Sequence, residues 1–242
     1  MIRKAWEWYT RKAREPVPSF CFGMRIIVDP MDREEECLLL CPHLYDHHEV
    51  GLLKGLLRKG DVFLDLGAHI GIYTLVASSV VGEHGTVLSV EPDPLSYERL
   101  CGHMELNNIQ NAIALNVGLS DKEETRRMGL AQEGIRGTNT FLLPHRREGL
   151  DTRCRPLANI LETHGITSIR GMKIDIEGFE FRVLKQFFRD VSERQYPEFI
   201  LTEYIELWEG LAGGNVIELL HSKGYRTQWA NKTGRNQLML RK

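Results

Sequence analysis

From Val62 onward, short runs of apolar and β-branched residues alternate with stretches whose apolar positions recur every three or four residues. The first kind reads as buried strands and the second as amphipathic helices. Strands are predicted at 62–66, 86–91, 112–117, 171–175, 198–203, 225–231 and 236–241. Helices are predicted over 71–81, 94–107, 156–164, 178–189 and 214–223. Such alternation builds a parallel sheet covered on both faces. The last two strands flank Lys232-Thr233-Gly234-Arg235, a hairpin signal, so they should add an antiparallel strand at one edge. The expected fold is α/β: a Rossmann-like, seven-stranded, mostly parallel sheet with a C-terminal antiparallel hairpin.

The pattern differs before residue 61. Met24–Asp29 and Cys37–Leu40 carry β-formers, and Asp29-Pro30-Met31-Asp32 between them is a turn signal, which predicts a hairpin. Glu49–Lys59 has helical spacing through Val50, Leu53 and Leu57, and Gly60 ends it. Met1–Arg14 is basic and aromatic (Trp6, Trp8, Tyr9). It reads as a short helix packed on the domain or on a second copy of the chain; an interfacial membrane anchor is the alternative. The chain thus divides into a helix-and-hairpin extension, 1–60, and one α/β domain, 61–242. Residues 122–155 break the rhythm, with glycines at 129, 134, 137 and 149, and read as a long irregular insertion.

Composition narrows the partners. A net charge of −2 provides no field for nucleic acid. No apolar run reaches the roughly 20 residues that span a bilayer. Five scattered cysteines suit reduced thiols in a cytoplasm. Cys37 and Cys41 with His43, His47 and His48 lack the second cysteine pair that would complete a zinc site.

The chemistry begins where the first long strand meets a glycine turn, Asp65-Leu66-Gly67-Ala68-His69-Ile70-Gly71. A strand–turn–helix junction offers free backbone N–H groups to a ligand. A dinucleotide fingerprint starting at Gly67 would need glycines at 69 and 72, and His69 and Ile72 stand there. The turn therefore suits a nucleoside ligand without a pyrophosphate, such as S-adenosylmethionine. Glu91, followed by Pro92, closes the next strand and can take both ribose hydroxyls. Gly118–Asp121, with Ser120 and Asp121, can line an adenine slot. Asp175 ends the strand 171–175, and Glu177, two residues on, should leave the same face if the chain stays extended. Glu203 closes a further strand at that edge. Carboxylates so placed can share a proton or a cation, and helix capping is the plainer alternative for Asp175 and Glu177.

These residues resemble a known family. Gly60 to Gly71, Glu91-Pro92 with Leu100, Leu106 and Asn107, Leu119-Ser120-Asp121, and above all Lys173-Ile174-Asp175-Ile176-Glu177-Gly178-Phe179-Glu180 are similar to the FkbM-type methyltransferases. The likeness covers roughly residues 20 to 205. It departs at His69 and His103, where the family often has Asn, and in Pro156-Leu157-Ala158-Asn159-Ile160-Leu161, which lacks the first acid of an L-D-D-L pattern. The resemblance implies a class I fold and S-adenosylmethionine-dependent O-methylation of glycan or secondary-metabolite hydroxyls. It also implies that Asp65, Gly67 and Gly71 frame the methionine end of the cofactor and that Glu91 takes the ribose. Asp175, Glu177 and Glu203 would then face the methyl group.

On that reading Asp175 is the expected general base, and a divalent metal on Asp175, Glu177 or Glu203 is the main variant. The loop 122–155, with Arg136, His145, Arg146 and Arg147, is expected to close over the acceptor and favour negative charge on it. Two other classes compete: a nucleotide-dependent oxidoreductase, and a non-catalytic S-adenosylmethionine-binding module.

Overall fold

The computed structural model describes residues 15–32, 35–130, 139–143 and 149–242. The predicted N-terminal helix, Met1–Arg14, lies outside them, as do Arg136, His145, Arg146 and Arg147.

The extension opens with β1 (Val17–Cys21) and β2 (Met24–Val28), an antiparallel hairpin with Val17 opposite Val28. Its two-residue turn is Phe22-Gly23, with φ of 51° and 87°. Left-handed geometry at both positions is what a tight hairpin turn of matching twist requires. The sequence reading had paired Met24–Asp29 with Cys37–Leu40. Instead, Glu36–Leu40 forms a short helix, α1. Four consecutive apolar residues cannot distinguish strand from buried helix by period alone. Helix α2 (His47–Leu56) follows.

The central layer is then laid down in order: β3 (Val62–Leu66), α3 (Ile72–Val81), β4 (Thr86–Val90), α4 (Pro94–Leu106) and β5 (Ala112–Leu115). β6 (Gly118–Leu119), β7 (Glu124–Gly129) and β8 (Gly149–Arg155) form a separate three-stranded sheet. The predicted irregular insertion 122–155 is therefore in part an antiparallel ribbon, with Glu124 opposite Cys154. Its strand residues are polar on the outward face, so no apolar run announced them. α5 (Leu157–Thr163), β9 (Gly171–Ile174), α6 (Glu180–Asp190), β10 (Phe199–Glu203), α7 (Glu209–Ala212), α8 (Val216–Ser222), β11 (Tyr225–Ala230) and β12 (Asn236–Arg241) complete the chain.

The main sheet has the order β11-β12-β10-β9-β3-β4-β5. Only β12 runs against the rest, because it is antiparallel to both β10 and β11. The antiparallel strand is thus inserted second from the edge, where the sequence had placed it at the edge itself. This insertion sets Asn236 opposite Glu203. The order reverses between β3 and β9, which start adjacent crossovers in opposite directions, so a crevice opens beyond their carboxyl ends.

One face of the sheet is sealed by α5, α6 and α8 around Leu64, Met172, Ile200 and Phe187, all buried. α2 and α3 seal the other around Phe63, Phe199, Val76 and Leu53. The hairpin packs on α3 through Ile26, Val28 and Leu75. α4 also grips the hairpin by side chains spaced four residues apart. Asn107 exchanges two hydrogen bonds with the Arg25 backbone, 2.8 and 2.7 Å. His103 Nε2 accepts from the Ile27 N–H at 2.9 Å, which leaves its Nδ1–H to donate to the Ile70 carbonyl at 2.8 Å. Arg99 donates to the Ile27 carbonyl and pairs with the Glu35 carboxylate.

Candidate active site

The turn after β3 is shaped by contact with the turn after β9. Gly67 has φ +82°, and a Cβ on it would lie 1.9 Å from the Asp175 carbonyl oxygen. Only glycine satisfies both the geometry and the approach. Gly71 has φ +92°, caps α3, and faces Leu100, whose Cδ1 a Cβ would meet at 2.4 Å. A cavity of about 330 Å³ opens over this junction. That volume lies within the range of small-molecule sites.

Glu91 lines this cavity beside the glycine turn and is 7% exposed. Its two oxygens accept the backbone N–H groups of His69 (2.7 Å) and Asp93 (2.8 Å). Burial raises its pKa to about 7, and those two N–H groups hold the rise in check. Gly67, Ala68, His69 and Pro92 line the same end. His69 has left-handed φ, 49°, and its buried Nε2 has no hydrogen-bond partner. Burial lowers its pKa to about 4, so the ring is neutral at pH 7. A neutral, unpartnered nitrogen beside the cavity can take a donor from a bound ligand.

Asp65 lies behind the cavity wall, not on it. It is fully buried, accepts from Thr74 Oγ1 at 2.6 Å, and keeps Oδ1 unpartnered. Burial raises its pKa, opposed by Lys173 and Thr74. Gly71, Ser120 and Asp121 also stand outside the lining. The Ser120 hydroxyl is within hydrogen-bond distance of Asp121 and Glu124, a contact inside the ribbon. Leu119, from the same segment, reaches the cavity.

The other end of the cavity is acidic. Asp175, Glu177 and Glu203 each place a carboxylate oxygen within 4.8 Å of the others. The proximity arises differently from the extended geometry expected. β9 ends at Ile174, and Glu177 sits in a turn with φ 54°. Glu180 staples that turn, accepting from the Ile176 N–H at 2.8 Å and the Gly178 N–H at 3.3 Å. The last acid of the K-I-D-x-E-G-x-E run therefore shapes the turn and does not face the cavity. Asp175 is tied to Lys173 Nζ at 3.1 Å. Burial opposes the Lys173 charge, yet Asp175 and Asp65 hold its pKa above the usual lysine value. Its ammonium also sits 4.9 Å from the centre of the Tyr73 ring. The Glu203 carboxylate has no hydrogen bond from the described residues. Burial, then repulsion from Asp175 and Glu180, pushes its pKa up to about 8.

Several lining residues escaped the sequence reading. Glu35, Leu38, Tyr45 and Asp46 come from the extension, Asn139 and Phe141 from beside the ribbon, and Asn236 from β12. Thr140 fixes the ribbon to the site by donating to the Glu177 carbonyl at 2.7 Å. Asp32, Glu35 and His69 form a second close donor set, but both Glu35 oxygens are engaged by Arg99 and one also by the Asp29 N–H.

The sheet order, the glycine junction and the buried acid after β4 define a class I, S-adenosylmethionine-dependent methyltransferase. Residues 65–227 match the methyltransferase FkbM domain, and the chain belongs to that family. It is 26% identical over 210 residues to Methyltransferase sdnD of Sordaria araneosa, covering 72% of this chain and 79% of that one. It is 27% identical over 205 residues to 31-O-demethyl-FK506 methyltransferase FkbM of Streptomyces tacrolimicus, covering 70% and 74%. Among solved structures, a putative rRNA-methylase from Clostridium thermocellum shares the fold, with TM-score 0.50 and 12% identity over 80% of this chain and 92% of that one. The family excludes the oxidoreductase alternative. No helix among the described residues is long and apolar enough to cross a membrane.

Proposed function

We propose that the chain O-methylates a hydroxyl of a glycan or secondary metabolite, with Glu203 as the proton acceptor. The observation that carries this reading is the pair of unlike carboxylates at the acceptor end. Asp175 is held by Lys173, whereas Glu203 has no donor and a pKa near 8. An alcohol must lose its proton as the new bond forms, and a base whose pKa lies near the working pH is suited to accept it. The sequence reading placed that role on Asp175. Its ion pair instead suits it to orienting Lys173 and the turn that carries Glu177. When bound, S-adenosylmethionine supplies an activated methyl group on a sulfonium. Glu91 would hold the ribose, and the Gly67–Gly71 turn the methionine end. Phe141 and Phe179 line the cavity, exclude water and help align the reactants.

The name of the Streptomyces relative specifies a 31-O-demethyl compound, which supports transfer to oxygen. Calorimetry should show S-adenosylhomocysteine binding and no NAD binding. Release of S-adenosylhomocysteine should then be followed across hydroxylated acceptors. NAD binding without S-adenosylhomocysteine binding would end the reading.

The three donor atoms within 4.8 Å also favour a second version, in which Asp175, Glu177 and Glu203 hold a divalent cation that acidifies the hydroxyl. Full activity after EDTA treatment is the outcome expected for a carboxylate base. Loss of activity with rescue by Mg²⁺ or Mn²⁺ would assign the metal version.

A further inference from the structure

Two carboxylates beside Lys173, half-buried Asp46 and buried Glu49, are given no part in the function proposed above. Asp46 stands at the N-cap of α2 and Glu49 in its first turn. Both line a side recess together with Tyr73, Lys173, Asp175, Glu203 and Asn236.

Asp46 occupies the helix N-cap position, where an aspartate ordinarily accepts a backbone N–H. Here it makes no such bond. Its backbone is left-handed, φ 40° and ψ 38°, and its carboxylate turns to the Tyr73 hydroxyl at 3.0 Å. Glu49 is 6% exposed and accepts from Asn236 Nδ2 at 3.0 Å. Burial raises the Asp46 pKa, Lys173 opposes the rise, and Glu49 adds to it.

Lys173 is the only cationic side chain lining this end among the described residues, and Asp65 and Asp175 already share it. Arg235 acts on Glu203 from outside the lining. With Glu203 protonated, Asp46, Glu49, Asp175 and Glu177 still outnumber Lys173 after the sulfonium, ammonium and carboxylate of the cofactor add one net positive charge. A cavity lined by one sign of charge concentrates ligands of the other.

We propose that Asp46 and Glu49 bind an ammonium group on the acceptor, so that the enzyme methylates a hydroxyl of an amine-bearing sugar or amino alcohol. This rests on the methyltransferase reading above and gives its acceptor a charge. It reverses the expectation of an anionic acceptor drawn from Arg136, Arg146 and Arg147, residues outside the described structure. A neutral acceptor would leave Asp46 and Glu49 with the Tyr73 and Asn236 hydrogen bonds but only a shared cation, and an anionic one would add to the repulsion.

The test uses three probes with one ring and different charge: glucosamine, N-acetylglucosamine and glucuronate. Their binding to the S-adenosylhomocysteine complex of the full chain is followed by ligand-observed NMR at low and physiological salt. Glucosamine should bind about tenfold or more tighter than the other two, with the margin shrinking as salt screens charges beyond roughly 8 Å. Asp46→Asn with Glu49→Gln should abolish the margin. Asparagine tolerates the left-handed backbone at position 46, and retained S-adenosylhomocysteine affinity shows that the double variant is folded. Equal or weaker glucosamine binding, no binding of any probe to the complex, or a margin that survives the double variant would overturn the proposal. So would Mn²⁺ occupying the site in place of glucosamine. Failure of S-adenosylhomocysteine itself to bind would instead count against the methyltransferase reading.

Discussion

The two ends of the active-site cavity are built on opposite plans. The end proposed for the cofactor comes from two consecutive strand–turn units, β3 with its glycine turn and β4 with Glu91, and backbone N–H groups meet the buried acid there. The end proposed for the acceptor is gathered from α2, α3, β9, β10 and β12, and its carboxylates are met by side chains: Asp46 by Tyr73, Glu49 by Asn236 and Asp175 by Lys173. A binding platform for an invariant ligand can be preorganised by backbone. On the proposed reading, recognition of a particular acceptor falls to side chains from distant elements.

Substitutions should separate these plans. The largest effect is expected at the shared junction. Gly67→Ala combines a left-handed residue, costing about 1–2 kcal/mol, with a forced contact on the Asp175 carbonyl worth roughly 1–3 kcal/mol more. Thermal unfolding should show the loss of stability, and calorimetry should show lost cofactor binding. Wild-type values in both would mean that the two turns do not touch as described.

Next comes Glu203→Gln, which should lower kcat by about 10²–10⁴ while sparing S-adenosylhomocysteine affinity. The wild-type rate should climb with pH and level off above about 8, since Glu203 accepts a proton only when ionised. The variant should lose that limb. If Asp175→Asn removes the limb and Glu203→Gln keeps it, the base is Asp175. The smallest of the three is Glu91→Ala, which should weaken cofactor binding by about 1.5–3 kcal/mol through loss of a charged acceptor. Acceptor KM should stay within a few fold. An unchanged cofactor affinity would show that Glu91 only braces the His69 and Asp93 amides.

The same contrast explains what the sequence could reveal. Gly67, Gly71 and Glu91 are legible because strand, turn and acid follow one another along the chain. Asp175 and Glu203 are legible as strand ends. Asn236 is not, because its place beside Glu203 depends on β12 entering between β10 and β11. Asp46 went unread because the apolar spacing announces the helix only from Glu49, whereas α2 begins at His47 with Asp46 at its N-cap. Ser120 and Asp121 were read as an adenine slot because they follow a strand, and here the Ser120 hydroxyl turns to Asp121 and Glu124 within the ribbon. β1 went unread because Pro18 and Ser19 interrupt its apolar pattern.

The grip of α4 on β2 has a consequence beyond the site. β2 pairs with β1 along one side only, so the backbone groups of Arg25 and Ile27 point outward from a two-stranded ribbon. Left open, such an edge is a template on which another chain can add a strand. Asn107 and His103 occupy those hydrogen-bonding positions, and Arg99 takes the remaining Ile27 carbonyl. A helix thereby imitates a neighbouring strand with side chains, and the hairpin is protected against the edge-to-edge association that leads to aggregation.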